Sequence, residues 1–343
     1  KSRISMKLTT QEKLSFLGNL ATLLTAGIPI LEAVNSLLED TTGNLNKLLT
    51  QLRDDLGQGK KIAESLVNFP KVFDKVTISL IKASEEAGTL ETTLRDLRTH
   101  VQQETEFVDK VRFAMLYPML IMLVFVGVLG VILFFVVPRI SAVFLRLNVQ
   151  LPLPTKILIW ISQTLINYTG LVILIVVLFL AGGIWLYQKN KSFLVEFIPL
   201  FRLIDFTQFS RSMYLLLSSG LPIMTALSLA GDVVVSHKIQ KLIKSAREMV
   251  LSGHPLSEGL KQGRGVVPVL MLKLIEAGER TGTLDKSLQE ISQSLDYEVN
   301  NSLKALTAIL EPILLVVVGV LVGGMMLAII APIYGLIGQV GGR

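Results

Sequence analysis

One stretch of this chain occurs twice. Ser84 to Leu94 reads S-E-E-A-G-T-L-E-T-T-L, and Gly278 to Leu288 reads G-E-R-T-G-T-L-D-K-S-L. Glu85 pairs with Glu279, Gly88 with Gly282, Thr89 with Thr283 and Leu90 with Leu284, each 194 residues apart. An acid, a glycine and a leucine held in step indicate a duplicated unit, so one copy's fold must also suit the other. The duplication reaches well beyond the motif. Pro118 and Pro138 return as Pro312 and Pro332. Gly59, Glu64 and Leu66 return as Gly253, Glu258 and Leu260, and Gly27-Ile28-Pro29 is echoed by Gly220-Leu221-Pro222.

The repeated prolines border stretches without charge. Phe113 to Pro138, Ile157 to Gln188 and Pro312 to Gly342 contain no Asp, Glu, Lys or Arg. Each supplies the roughly 20 apolar residues that a helix needs to cross a bilayer. A mean hydropathy of +0.58 and a charged fraction of 17% place the chain outside the usual soluble range. The expected spans are 113–138, a second at Thr169 to Tyr187 within 157–188, and a third within 305–343. Tyr168, Trp185 and Tyr187 flank the second as interfacial aromatics do. Ile157 to Asn167 is apolar but interrupted by Ser162, Gln163, Thr164 and Asn167, which suits an interfacial segment. Residues 139–156, with Pro152 and Pro154, read as a short connection.

The remaining segments, 1–112 and 189–304, read as helical bundles. They hold 15 basic and 15 acidic residues, and 14 basic and 11 acidic, respectively. Thr9 and Glu12 form a capping-box pattern, followed by Leu14, Leu17, Leu20, Ala21 and Leu24 at helical spacing. Gly27 suits a helix end and Pro29 the first turn of the next helix. Further helices are expected over Leu45 to Leu56, Ile62 to Val67 and Val76 to Glu86. Gly88 then ends one helix, and Thr89 opens another with Glu91 in its first turn. Two spans between the bundles put both on one side of the membrane, and a third puts the C-terminal tail on the other. Lys and Arg near the span ends do not separate cleanly, so charge alone does not orient the chain. No signal-peptide pattern is visible, and large domains without one favour the cytoplasm.

Little in the sequence carries chemistry. Gly57-Gln58-Gly59-Lys60-Lys61 lacks the spacing of a phosphate-binding loop. His100, His237 and His254 are scattered, and no nucleophile–base arrangement is legible. Absent cysteine excludes disulfides, and the modest net charge of +6 points to no nucleic-acid partner. No catalytic residue, cofactor or metal site is expected. Glu85, Glu86 and Glu279 lie at helix ends, where the dipole disfavours an anion. They read as solvated or paired within the bundle, as contacts for a cytoplasmic partner, or as part of a carboxylate metal site. Gly319 and Gly323 permit close helix approach in the third span. Only Glu311 lies near a span, which argues against the alternative of a repeat-built transporter or channel.

The array L-L-x-A-G-I-P-I at Leu23 to Ile30, E-E-A-G-T-L at Glu85 to Leu90 and Tyr117-Pro118, with its second copy from Leu216 onward, resembles the GspF/PilC family. These are inner-membrane platform proteins of type II secretion systems and type IV pili. The resemblance covers nearly the whole chain. It implies an all-α membrane protein with two homologous cytoplasmic helical-bundle domains and three transmembrane helices, in the order domain–span–span–domain–span. It also implies a cytoplasmic N-terminus, a periplasmic C-terminus and a homo-oligomer. The implied partners are a hexameric secretion or pilus ATPase, pilins or pseudopilins, other inner-membrane assembly proteins and membrane lipid. Family members often carry a longer N-terminal segment, so ATPase contacts attributed to it have no place in these residues. Gly27, Pro29, Gly88, Leu90, Pro118 and Pro138, with Gly220, Pro222, Gly282, Leu284, Pro312 and Pro332, are the expected structural positions of the repeat.

Overall fold

The computed structural model describes residues 6–146, 153–171, 174, 178, 199–263 and 265–340, and every regular element among them is helical. The chain divides into two compact units, one of residues 1–110 and 191–300, the other of 111–190 and 301–343.

The first unit holds both bundles. The first copy contributes α1 (Thr10–Thr25), α2 (Ile30–Glu39), α3 (Gly43–Gly57), α4 (Ile62–Leu66), α5 (Lys75–Ala87) and the start of α6 (Leu90–Val131). With α7 (Val137–Arg146) and α8 (Leu153–Asn167) lying between, the second copy contributes α9 (Pro199–Ser218), α10 (Ile223–Val233), α11 (His237–Leu251), α12 (Leu256–Lys261), α13 (Val269–Thr281) and the start of α14 (Leu284–Val340). Local chemistry sets many of these boundaries. The Thr9–Glu12 capping box opens α1. Gly27 and Gly220 turn the chain at φ +80 and +79. Pro29 and Pro222 stand at the N-cap of α2 and α10, one residue earlier than the expected first turn.

The buried faces of both copies join in one core. Phe16, Leu17 and Leu20 of α1 and Leu48, Leu49 and Leu52 of α3 contribute to it, and the rings of Phe16 and Phe73 lie 5.8 Å apart. Phe206, Phe209 and Met213 of α9 do the same for the second copy. Each such fully buried side chain is worth roughly 1.5–3 kcal/mol relative to exposure. The copies differ where α3 meets α4 and α11 meets α12. Leu52 and Ser65 of the first copy stand where the second has Ala246 and Gly259. Buried Asp55 accepts from Ser65 Oγ at 2.7 Å and pairs with Lys60, whereas Gly259 has the Ala246 backbone against it.

The second unit contains the apolar stretches. Among the described residues two helices are long and apolar enough to cross a membrane, within Leu90–Val143 and Leu284–Gly324. Their most apolar windows are only 11% and 6% buried, which separates them from core helices of a soluble protein. Met119, Leu123, Leu315 and Leu327 stand open along them, an arrangement suited to hydrocarbon rather than water. Both helices pass through a repeated proline, Pro118 in α6 and Pro312 in α14.

At Pro138, where the first span is expected to end, the helix continues with a change of register. Residues 132–136 widen into a π turn, in which Val137 N–H reaches back five residues to the Ile132 carbonyl, and α7 continues to Arg146. In that register the next donor would serve the Leu133 carbonyl, but the next residue is Pro138, which has no N–H. Ser162 of α8 supplies the missing donor, its Oγ lying 2.5 Å from the Leu133 oxygen. An unserved carbonyl in an apolar medium costs several kcal/mol, so the wide turn and the serine belong together. The expected connection over 139–156 is thus helical to Arg146 and again from Leu153. The expected span Thr169 to Tyr187 lies mostly outside the described residues.

Candidate functional site

Each copy breaks its last bundle helix at a glycine and restarts two residues on. Gly88 and Gly282 adopt φ +71 and +73, where a Cβ would crowd the backbone. The turn sends amides back to the helix just ended. Gly88 and Thr89 N–H reach the Ser84 carbonyl, as Gly282 and Thr283 N–H reach that of Gly278. Leu90 and Leu284 then open α6 and α14, with Glu91 and Asp285 in their first turns.

The repeated acid braces another helix. Glu85 accepts from Ile62 N–H at 2.9 Å and Ala63 N–H at 3.4 Å, the first two amides of α4. Glu279 accepts from Leu256 N–H and Ser257 N–H, the first two amides of α12. Neither α4 nor α12 has a side-chain cap from its own N-cap residue. A carboxylate misplaced at the end of its own helix is thus well placed at the positive end of its neighbour's dipole. Glu86 differs, being exposed and 3.8 Å from Lys61 Nζ.

A polar seam joins the two copies. When they are aligned on Gly27 and Gly220, Gly18 of α1 corresponds to Arg211 of α9. From the breaks onward, Arg98 of α6 corresponds to Ser292 of α14. In the first copy Arg98 lies over Gly18, its Cδ 2.9 Å from where a Cβ would stand. In the second copy the arginine comes from the opposite helix. Arg211 is buried, 2.6 Å from Asp296, with its guanidinium 5.6 Å from the ring centre of Phe107 in the first copy. The planar cation can stack and pair at once, which an ammonium does less well.

A cavity of about 280 Å³ opens at this pair, lined by Asp96, His100, Gln103 and Gln293 among others. His100 Nδ1 and Asp296 Oδ1 are buried without a partner among the described residues. Burial pushes the His100 pKa down to about 4, aided by Arg211 and Lys13 and opposed by Asp74. The folded value for His100 lies below the unfolded one, so the unfolded chain takes up the proton first on acidification. Stability from this group is therefore present above about pH 6.5 and is lost as pH falls toward 4. Between pH 7.5 and 5 the protein in detergent is expected to lose about 2 kcal/mol more than His100→Gln does. Denaturant titrations at both pH values measure the difference, and parallel behaviour of the two proteins would contradict a neutral buried histidine.

Lys60 pairs with Asp55 at the C-terminus of α3, and Gly59 turns there at φ +79. His237 opens α11, and His254 lies 3.3 Å from Glu258. Among the described residues no three His, Asp or Glu side chains converge as a metal site requires. Nothing in the described structure lies within 4 Å of a Cβ built on Gly319 or Gly323. The acid caps and the arginine exchange lay beyond sequence reasoning. The retention of Glu85 and Glu279 at an unfavourable helix end was the one available signal for the caps.

The shared core, the paired helix breaks and the two open apolar helices define a helical membrane protein built by duplication. The chain belongs to the family of type II secretion system (T2SS) protein F, whose model matches residues 16–138 and 209–332, one segment in each copy. The chain is 32% identical over 335 residues to the type IV pilus assembly protein PilC of Thermus thermophilus, covering 94% of this chain and 82% of that protein. It is 28% identical over 337 residues to PilC of Myxococcus xanthus, covering 95% and 81%. It is 30% identical over 337 residues to type II secretion system protein F of Aeromonas hydrophila, covering 95% and 86%.

Proposed function

We propose that this chain is a non-enzymatic platform in the bacterial inner membrane, coupling a cytoplasmic assembly ATPase to the assembly of pilins or pseudopilins. In this reading three helices span the membrane, both bundles and the N-terminus lie in the cytoplasm, and the C-terminus is periplasmic. The domains follow the sequence boundaries, 1–112 and 189–304, around spans in 113–138, 157–188 and 305–343. The chain works as a homo-oligomer alongside other inner-membrane assembly proteins. Open Gly319 and Gly323 are where another copy's helix can approach closely.

The observation that carries the proposal is the end of each copy, where a glycine break launches one helix that becomes the apolar stretch. Movement imposed on a bundle then has a short covalent route to a membrane helix, without any nucleotide chemistry of the chain's own. Gly88, Leu90, Gly282 and Leu284 set the direction of that route. Gly88→Val together with Gly282→Val places two β-branched residues at positive φ, at roughly 1–2 kcal/mol each. Pilus or secretion output is expected to fall strongly while the protein still accumulates in the membrane. Normal output from the well-expressed double variant would overturn this role. Solute flux through liposomes holding this protein alone would instead favour a transporter.

A further inference from the structure

Helix α11 carries a face that its counterpart α3 lacks. Its inner side, with Ile239, Ile243 and Ala246, belongs to the core. Its outer side presents Lys238, Lys241, Lys244 and Arg247, all exposed and spaced three apart, with Glu248 as the helix's one acid. Each is a neighbour of the next on the helix surface, and the series winds across the outer half of the helix. The same positions of α3 hold Asn44, Lys47, Thr50 and Arg53, and Arg53 is neutralised by Asp54 at 2.8 Å. Lys241, Lys244 and Arg247 make no ion pair among the described residues. The two helices have equal length and equivalent places in their bundles, so the fold does not require the basic stripe. Unpaired like charges held side by side cost stability, and a partner's charge would offset that cost.

A polar groove of about 300 Å³ lies along this side. Ser228, Gly231 and Asp232 of α10 line it together with Gln240, Lys244 and Arg247 of α11. Asp232 is already engaged by Lys75 of the first copy at 2.6 Å, so Lys244 and Arg247 set the charge a visitor meets.

We propose that the outer face of α11 and this groove dock an acidic segment of another protein, with Asp or Glu side chains at helical spacing opposite the stripe. A lipid surface fits less well. A helix that lies in a membrane interface turns an apolar face to the acyl chains, and the apolar face of α11 is spent in the core. Its outer face has no large apolar residue before Leu251. The proposal holds whichever assembly the protein serves.

The test uses the full chain in phosphatidylcholine nanodiscs and a fluorescent synthetic helical peptide carrying Glu at every third and fourth position, with a Gln-substituted peptide as control. The Glu peptide is expected to bind and the Gln peptide not. Charge reversal by K241E/K244E/R247E should weaken binding at least ~tenfold and create binding to a Lys version of the peptide. Reversal on α3, by K47E/R53E, should leave Glu-peptide binding unchanged. All substituted positions are exposed, and K241Q/K244Q/R247Q provides a milder variant that should melt at or slightly above the wild-type temperature while binding is still lost. Equal affinity of wild type and the triple reversal for the Glu peptide would overturn the proposal. So would stripe-dependent binding to phosphatidylglycerol vesicles without peptide binding, which would assign the face to lipid.

Discussion

Gly259→Val is expected to cost at least ~3 kcal/mol and to lower the folded-to-unfolded ratio by about a hundredfold or more. A Cβ at Gly259 would stand 2.7 Å from Ala246 Cα and 2.8 Å from its Cβ. The obstacle is backbone, so no rotamer change relieves it, and α11 and α12 must part. Parting them exposes Leu256 and Leu260, both fully buried in the same helix. Gly259→Ala should cost less, because the gain in helix propensity of about 1 kcal/mol offsets part of the clash. The first copy makes the same crossing with Leu52 and Ser65, so its helices are set for larger side chains there. Denaturant titration of the detergent-solubilised chain measures the effect. A midpoint within error of wild type for the valine variant would show that the crossing is looser than described.

Glu85→Ala and Glu279→Ala should each destabilise the bundle by about 2–3 kcal/mol. Each substitution strands two amides at a buried helix start, since Ile62, Ala63, Leu256 and Ser257 are all buried. The paired contacts are also charge-assisted, which makes them stronger than neutral bonds. Glutamine at either position keeps one acceptor and should recover part of the loss. The two sites share no residue, so their effects should add closely. Hydrogen exchange gives a local readout, with faster exchange expected first at the amides of 62, 63, 256 and 257. If the acids served a partner alone, the alanine variants would melt like wild type and fail only in assembly.

Sequence reasoning succeeded where the chemistry is local. Gly27, Gly88, Gly220 and Gly282 announce helix ends because positive φ is a property of single residues. Thr9 and Glu12 announce a helix start because a capping box spans four positions. The duplication needed only register. Contacts that bridge separate helices left no such mark. Glu85 reaches back 23 residues to Ile62, and Arg211 meets Asp296 across 85. Nothing in the periodicity of α6 or α9 reveals that an arginine from one helix has replaced an arginine from the other. The π turn was hidden for a related reason. Pro138 looks like a terminator until a donor elsewhere in the chain is found for the carbonyl it leaves unserved.

That donor also bears on how the two copies have come to differ. The proline was inherited by both, yet α14 reaches Pro332 as unbroken α-helix, while the first copy widens ahead of Pro138 and depends on Ser162. Ser162 lies outside the repeat, in the segment that joins the copies. Once that dependence arose, the first membrane helix was no longer interchangeable with the last. A change at residue 138 alters what is tolerated at 162, and a change at 162 alters what is tolerated at 138. The connecting segment has thereby become part of the ancestry of one copy and not of the other.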